Sequence, residues 1–271
     1  MRLLSAVICT GLLLSTALAH AAPTYLEPDP DATRRVAAYL ASKDCPGAVK
    51  ALNDGVKDKQ RDVLLLAGAM FETGLCVKEN WERATYFYQL ADKAGHKAAI
   101  HRLAAGYAVA GRDNALALWW AAQRPFDLPR SCIPAADPEQ DPDGFAAALT
   151  RMPVAEFNAC VYMVGVYSAL LGETEFPAAA VRNSMFGDVI MTFDPARGAI
   201  DWTQENTGQA LEAGLFDGNK VNTESRRKKE NALLDYMRAA GARTLARYSK
   251  PDGIDPAIRI RQKFTFFYKP S

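Results

Sequence analysis

Ala67-Gly68-Ala69-Met70-Phe71-Glu72-Thr73-Gly74 returns 36 residues later as Leu103-Ala104-Ala105-Gly106-Tyr107-Ala108-Val109-Ala110. Each copy leads into a second apolar stretch, Ala84-Thr85-Tyr86-Phe87-Tyr88 after the first and Ala115-Leu116-Ala117-Leu118-Trp119 after the second. A period of this length means stacked helix pairs, because one pair alone cannot bury its apolar face and needs a neighbour to cover it. Such stacks present surfaces, which favours binding over catalysis.

The N-terminus follows a different logic. Arg2 is its only charge, and Leu3 to Leu18 is apolar, with the small-residue triplets Ala17-Leu18-Ala19 and Ala19-His20-Ala21 after it. This has the form of a secretory signal peptide over residues 1–21, cleaved near Ala21. The stretch is at the short limit for a bilayer span. Export to the periplasm is the expectation, and an uncleaved inner-membrane anchor is the alternative.

Loss of Arg2 would take the formal charge from +1 to 0. Residues 22–175 hold 16 Lys/Arg against 20 Asp/Glu, and residues 176–271 hold 15 against 11. The opposite signs imply two units able to dock on each other or on a charged partner. The balance is too even for nucleic-acid binding.

Cys45, Cys76, Cys132 and Cys160 remain after cleavage. An even number in an exported chain favours disulfides. Tyr39 aligns with Phe71, so Cys45 and Cys76 fall in equivalent inter-helix turns of adjacent repeats. Stacked turns lie side by side, which pairs Cys45 with Cys76 and leaves Cys132 with Cys160.

Helices are expected over Asp31–Ser42, Pro46–Leu52, Asp62–Thr73, Trp81–Ala94, Lys97–Ala110 and Asn114–Gln123. Gly68, Phe71, Gly74, Val77, Ala84, Phe87, Tyr88 and Gly95 fit a pattern A-x-x-L-G-x-x-Y-x-x-G-x-G-V, a spacer, then A-x-x-W-Y-x-x-A. In this the segment resembles the Sel1-like repeat family, related to TPR arrays. The second copy departs from it, with Ala104 and Ala110 where Gly is expected. The resemblance implies a scaffold or adaptor of the bacterial envelope.

Residues 124–145, with Pro129, Pro134, Pro138, Pro142 and the acids Asp137, Glu139, Asp141 and Asp143, read as a loop. They lack the Gly-centred spacing of a calcium loop. Phe145–Arg151 and Val154–Leu171 read as two helices capping the array.

The periodicity changes at Phe176. Gly187–Phe193 and Ala199–Thr203 read as strands. Leu234, Met237, Gly241, Leu245 and Tyr248 mark one helix face. In the last strand, Ile258–Tyr268, apolar Ile258, Ile260, Phe264, Phe266 and Tyr268 oppose Arg259, Arg261, Lys263, Thr265 and Lys269. Phe176-Pro177-x-x-Ala180, Gly187-x-Val189-x-x-x-Phe193 and Gly198, with this β-β-α-β order, resemble the C-terminal domain of TonB-like proteins. Such a domain implies capture of a partner peptide by strand addition, here along Arg259, Arg261, Lys263, Phe264 and Phe266. A 204–229 insert with Arg226-Arg227-Lys228-Lys229, and a Pro-rich spacer too short to cross the periplasm, depart from the energy transducers.

The fold class is therefore expected to be α + α/β. The expected parts are a signal peptide (1–21), Sel1-like helical repeats (22–123), a Pro/Asp-rich loop with capping helices (124–175) and a TonB-like C-terminal domain (176–271). The expected function is a non-enzymatic envelope adaptor binding a protein partner, which could be a membrane protein, with no nucleic acid, small-molecule substrate, cofactor, metal or catalytic residue inferred. His96 and His101, five apart, share a helix face poorly and have no Glu between them. A membrane-anchored TonB-like energy-transducer relative and a periplasmic hydrolase with an inter-domain site built on His96 or His101 are the alternatives.

Overall fold

The computed structural model describes residues 30–123, 128–173, 185–209 and 232–266. The proposed signal peptide, the Phe176-Pro177 motif, the Arg226–Lys229 run and the strand residues past Phe266 lie outside them. The elements are α1 (Pro30–Ala41), α2 (Cys45–Lys57), α3 (Arg61–Thr73), α4 (Trp81–Lys93), α5 (Ala98–Tyr107), α6 (Asn114–Ala122), a 3-10 turn (Arg130–Cys132), α7 (Pro142–Arg151), α8 (Val154–Glu173), β1 (Met185–Asp194), β2 (Ala199–Gln209), α9 (Ala232–Arg247) and β3 (Ile260–Phe266). The described residues are mostly helical, with one three-stranded antiparallel sheet ordered β2-β1-β3.

Short polar side chains start several helices by accepting otherwise unpaired first-turn amides. Asp44 Oδ1 accepts from Gly47 N at 2.9 Å, Asn80 Oδ1 from Arg83 N at 2.9 Å, and Asp113 Oδ1 from Ala115 N at 3.1 Å. Consecutive helices then pack as α1 on α2, α3 on α4 and α5 on α6, with each pair touching the next. The small residues of the repeat sit at these contacts. A Cβ on Gly68 would come within 2.4 Å of the Tyr88 ring, and one on Gly106 within 2.0 Å of Trp81. Phe71 stacks on Phe87 at 5.5 Å, and Trp81 meets Tyr107 edge-on at 5.1 Å.

Both expected disulfides are present: Cys45–Cys76, Cα atoms 5.0 Å apart, and Cys132–Cys160, 5.2 Å apart. Two disulfides suit an oxidising, exported compartment. The first ties the start of α2 to the turn after α3. The second ties the 3-10 turn to α8.

Several element boundaries differ from expectation. The second helix does not end at Leu52 but continues to Lys57. Gly55 allows close packing there, since a Cβ would lie 2.8 Å from Val63. The seventh helix begins at Pro142, not Phe145, because Asp141 Oδ1 accepts from Gly144 N at 2.9 Å and Pro142 needs no amide partner. Strand β2 runs to Gln209 rather than Thr203 and pairs Gly208 with Phe186. Its polar Gln204–Gln209 end shows no apolar alternation, so the supposed insert begins later than expected. On α9 the buried face is Leu233, Met237, Ala240 and Thr244, with Leu234 and Leu245 half-buried.

The largest difference concerns α8. It is not an end cap but the centre of the molecule. Every residue from Cys160 to Leu170 is buried, around the whole circumference. Helix α8 packs on α5, α6 and α9, and one continuous core runs from Tyr88 and Leu103 through Met163 and Tyr167 to Met191, Phe193 and Phe264. By length and composition Val154–Gly172 would also suit a membrane span. A helix that is apolar all round is equally what a core demands, and here residues 160–170 are enclosed by protein while the first turns, from Val154, are largely exposed.

Candidate functional site at the edge of the sheet

Strand β3 lies at one edge of the sheet, and among the described residues it pairs with β1 alone. The register sets Phe264 opposite Val189, Lys263 opposite Ile190, Arg261 opposite Thr192 and Ile260 opposite Phe193. Side chains alternate as the period-2 pattern requires. Ile260, Phe264 and Phe266 are buried, while Arg261, Lys263 and Thr265 are exposed.

The strand is braced from beneath. Phe264 packs near Trp202 of β2, ring centroids 6.2 Å apart. Trp202 in turn lies against Gly241 of α9, where a Cβ would be 3.0 Å away. Tyr167 of α8 donates its hydroxyl to Gln262 Oε1, and Gln262 Nε2 donates to the Lys263 carbonyl at 2.7 Å. The edge is thereby fixed to the core helix rather than suspended from β1.

The five residues singled out in the sequence separate into two groups. Phe264 and Phe266 belong to the core. Arg259, Arg261 and Lys263 stand outside it, but two have partners within the chain. Arg259 Nη2 is 2.8 Å from Asp194 Oδ2, and Lys263 Nζ is 3.6 Å from Asp188 Oδ2. Arg197 also holds Asp194, through its backbone N at 3.0 Å and its Nε at 2.5 Å. The Arg197 hydrogen bond, aided by the charge of Arg259, lowers the Asp194 carboxyl below its ordinary value. Arg261 is exposed, and among the described residues it makes no ion pair.

The two histidines occupy separate structural positions. His96 Nε2 is 3.4 Å from Asp62 Oδ1, and its Nδ1 accepts from Ala98 N at 3.3 Å, bracing the α4–α5 turn against α3. His101 faces α8 at Gly172.

Sequence reasoning missed the polar cluster joining the helices to the sheet unit. Glu72, with 4% of its side chain exposed, accepts from the Tyr88 hydroxyl at 2.7 Å and pairs with Arg247 of α9. Arg112 Nη1 lies 3.7 Å from the same carboxylate and donates to the Gly106 carbonyl at 2.8 Å, with its guanidinium 4.0 Å above Trp81. Burial, reinforced by the Glu72 charge, pushes the Tyr88 phenol well above its ordinary value. Next to Arg247, Tyr248 donates to the Ala105 carbonyl at 2.8 Å. A signal was present: Glu72 is four residues after Gly68, on the same helix face as a position that must be small.

No protein-family model matches the chain, and neither a curated protein nor a solved structure matches it.

Proposed function

We propose that the chain is a non-enzymatic adaptor of the bacterial envelope, working in the periplasm, that captures an extended peptide of a protein partner by strand addition to β3. In this reading the helix pairs α1 to α6 are a Sel1-like array, and the β-β-α-β unit is TonB-like. The observation that carries it is the position of β3. It is an edge strand of seven residues, its apolar side is used up in the core, and its outward side is cationic at Arg261 and Lys263. An incoming strand would gain main-chain hydrogen bonds of about 0.5–1.5 kcal/mol each, and Arg261 would favour an acidic residue on it. The β-β-α-β order and the two disulfides support the same reading.

The test is photocrosslinking in the native envelope. A benzophenone amino acid at Thr265 should yield a discrete adduct, and the same group at exposed Lys50 on α2 should not. No adduct at Thr265, or an identical adduct from both sites, would remove the proposal.

A further inference from the structure

A groove of about 410 Å³ opens where the chain enters β3. Its floor is apolar: Met163 and the Cys132–Cys160 disulfide are buried there, with Ile254 beside them. The walls are Pro153, the first turns of α8 as far as Ala159, and the loop Gly253–Ile258. Two carboxylates line it, Glu156 and Asp255, and among the described residues no lysine or arginine does. Asp255 Oδ1 accepts from Ala257 N at 2.8 Å, which orients the loop.

The groove and the strand edge are continuous. Ile258 lines the groove, and β3 starts two residues later at Ile260. Two residues of extended chain span about 7 Å. A peptide added along β3 and overrunning its start by that length would reach the groove.

We infer that this groove receives a lysine or arginine side chain from the peptide that adds to β3. The methylene stem would lie on Met163, Ile254 and Ile258, and the charged head would meet Glu156 and Asp255. Long cationic side chains are suited to such a place, because their stems cover apolar surface while their heads stay with charge and water. The partner is thus a segment with an acidic residue facing Arg261 and a basic residue beyond the strand. The inference rests on the strand-addition reading, and it adds a second charge of opposite sign.

A displayed library of random twelve-residue peptides, selected on the purified chain with its disulfides intact, tests it. Enriched peptides should share Lys or Arg at one fixed position. Glu156→Gln combined with Asp255→Asn, in which Asn keeps the acceptor for Ala257 N, should weaken those peptides at least tenfold. Ala155→Trp, at an exposed wall residue, should weaken them by obstruction. Binders lost on Arg261→Glu but without a fixed basic position, or indifferent to the groove variants, would overturn the groove and leave the strand reading standing. Binders that depend on the groove but not on Arg261, and that give β3 amides no protection, would overturn strand addition. A library yielding no binder overturns both.

Discussion

The helical array and the sheet each contain a surface of the kind that recognises other proteins, and the chain treats them oppositely. The face of α5 and α6 is occupied by α8, a twenty-residue apolar helix of the same polypeptide. The outer edge of β3 is braced by Tyr167 and Trp202 from within but has no neighbouring strand among the described residues. An aromatic-rich repeat is therefore not by itself an open groove. Part of its apolar surface here is spent on holding the sheet unit, and in the proposed reading recognition is left to the edge so held.

The joint should be the more fragile of the two regions. Glu72→Ala leaves Arg247 and Arg112 without their shared carboxylate and exposes the Tyr88 hydroxyl to an empty site. Losing one partner of a buried ion pair costs about 3–5 kcal/mol, to be read from urea unfolding. A loss under about 1 kcal/mol would mean the cluster does not join the regions. Removing the buried Cys132–Cys160 bond as Cys132→Ala/Cys160→Ala releases a 28-residue separation, and the chain-entropy argument gives a loss of about 3–4 kcal/mol. An unchanged urea midpoint would show that α8 needs no tether. Gly165→Ala puts a Cβ 2.7 Å from the Tyr248 ring. Overpacking there should cost about 1–3 kcal/mol, and a neutral result would mean that α8 and α9 can separate.

The edge should instead respond to charge. The Asp194 carboxyl is lowered in the fold, so the stabilisation it supplies is present above its ordinary value of 3.8 and is lost as pH falls through its lowered value. Asp194→Asn should flatten stability against pH below about pH 4 while leaving the neutral-pH slope alone. A variant as acid-sensitive as the parent would sever Asp194 from the account. The smallest stability effect belongs to Arg261→Glu, within about 0.5 kcal/mol for an exposed site, yet it should abolish crosslinking from Thr265. Retained crosslinking would show that Arg261 does not read the partner.

What the sequence disclosed follows the same division. Local patterns were legible: the repeat register paired Cys45 with Cys76, and alternation along Ile260–Phe266 identified its buried and exposed sides. Features without a local pattern were not. The polar end of β2 has no alternation to read, although its backbone pairs with β1 across a register shift between Phe186 and Asp188. The extension of the second helix past Leu52 was not legible, because the tight packing of Gly55 against Val63 is invisible in one dimension. The central place of α8 depends on faces supplied by α5, α6 and α9, far away in the chain. The Arg247–Glu72 pair joins residues 175 positions apart. The opposite charges of the two halves forecast docking of this kind without naming the pair. At the candidate site, sequence placed Arg259, Arg261 and Lys263 together on one side of the last strand, but not the acids Asp194 and Asp188 that engage two of them.

The central claim is that β3 accepts a strand, and amide hydrogen exchange reads this directly. With the crosslinked partner's peptide added, alternate amides of Ile260–Phe266 should slow, because successive amides of an edge strand point alternately toward β1 and away from it. The amides of α4 should be unchanged. Slowing confined to the helical array, with the β3 amides exchanging as in the free chain, would contradict the account.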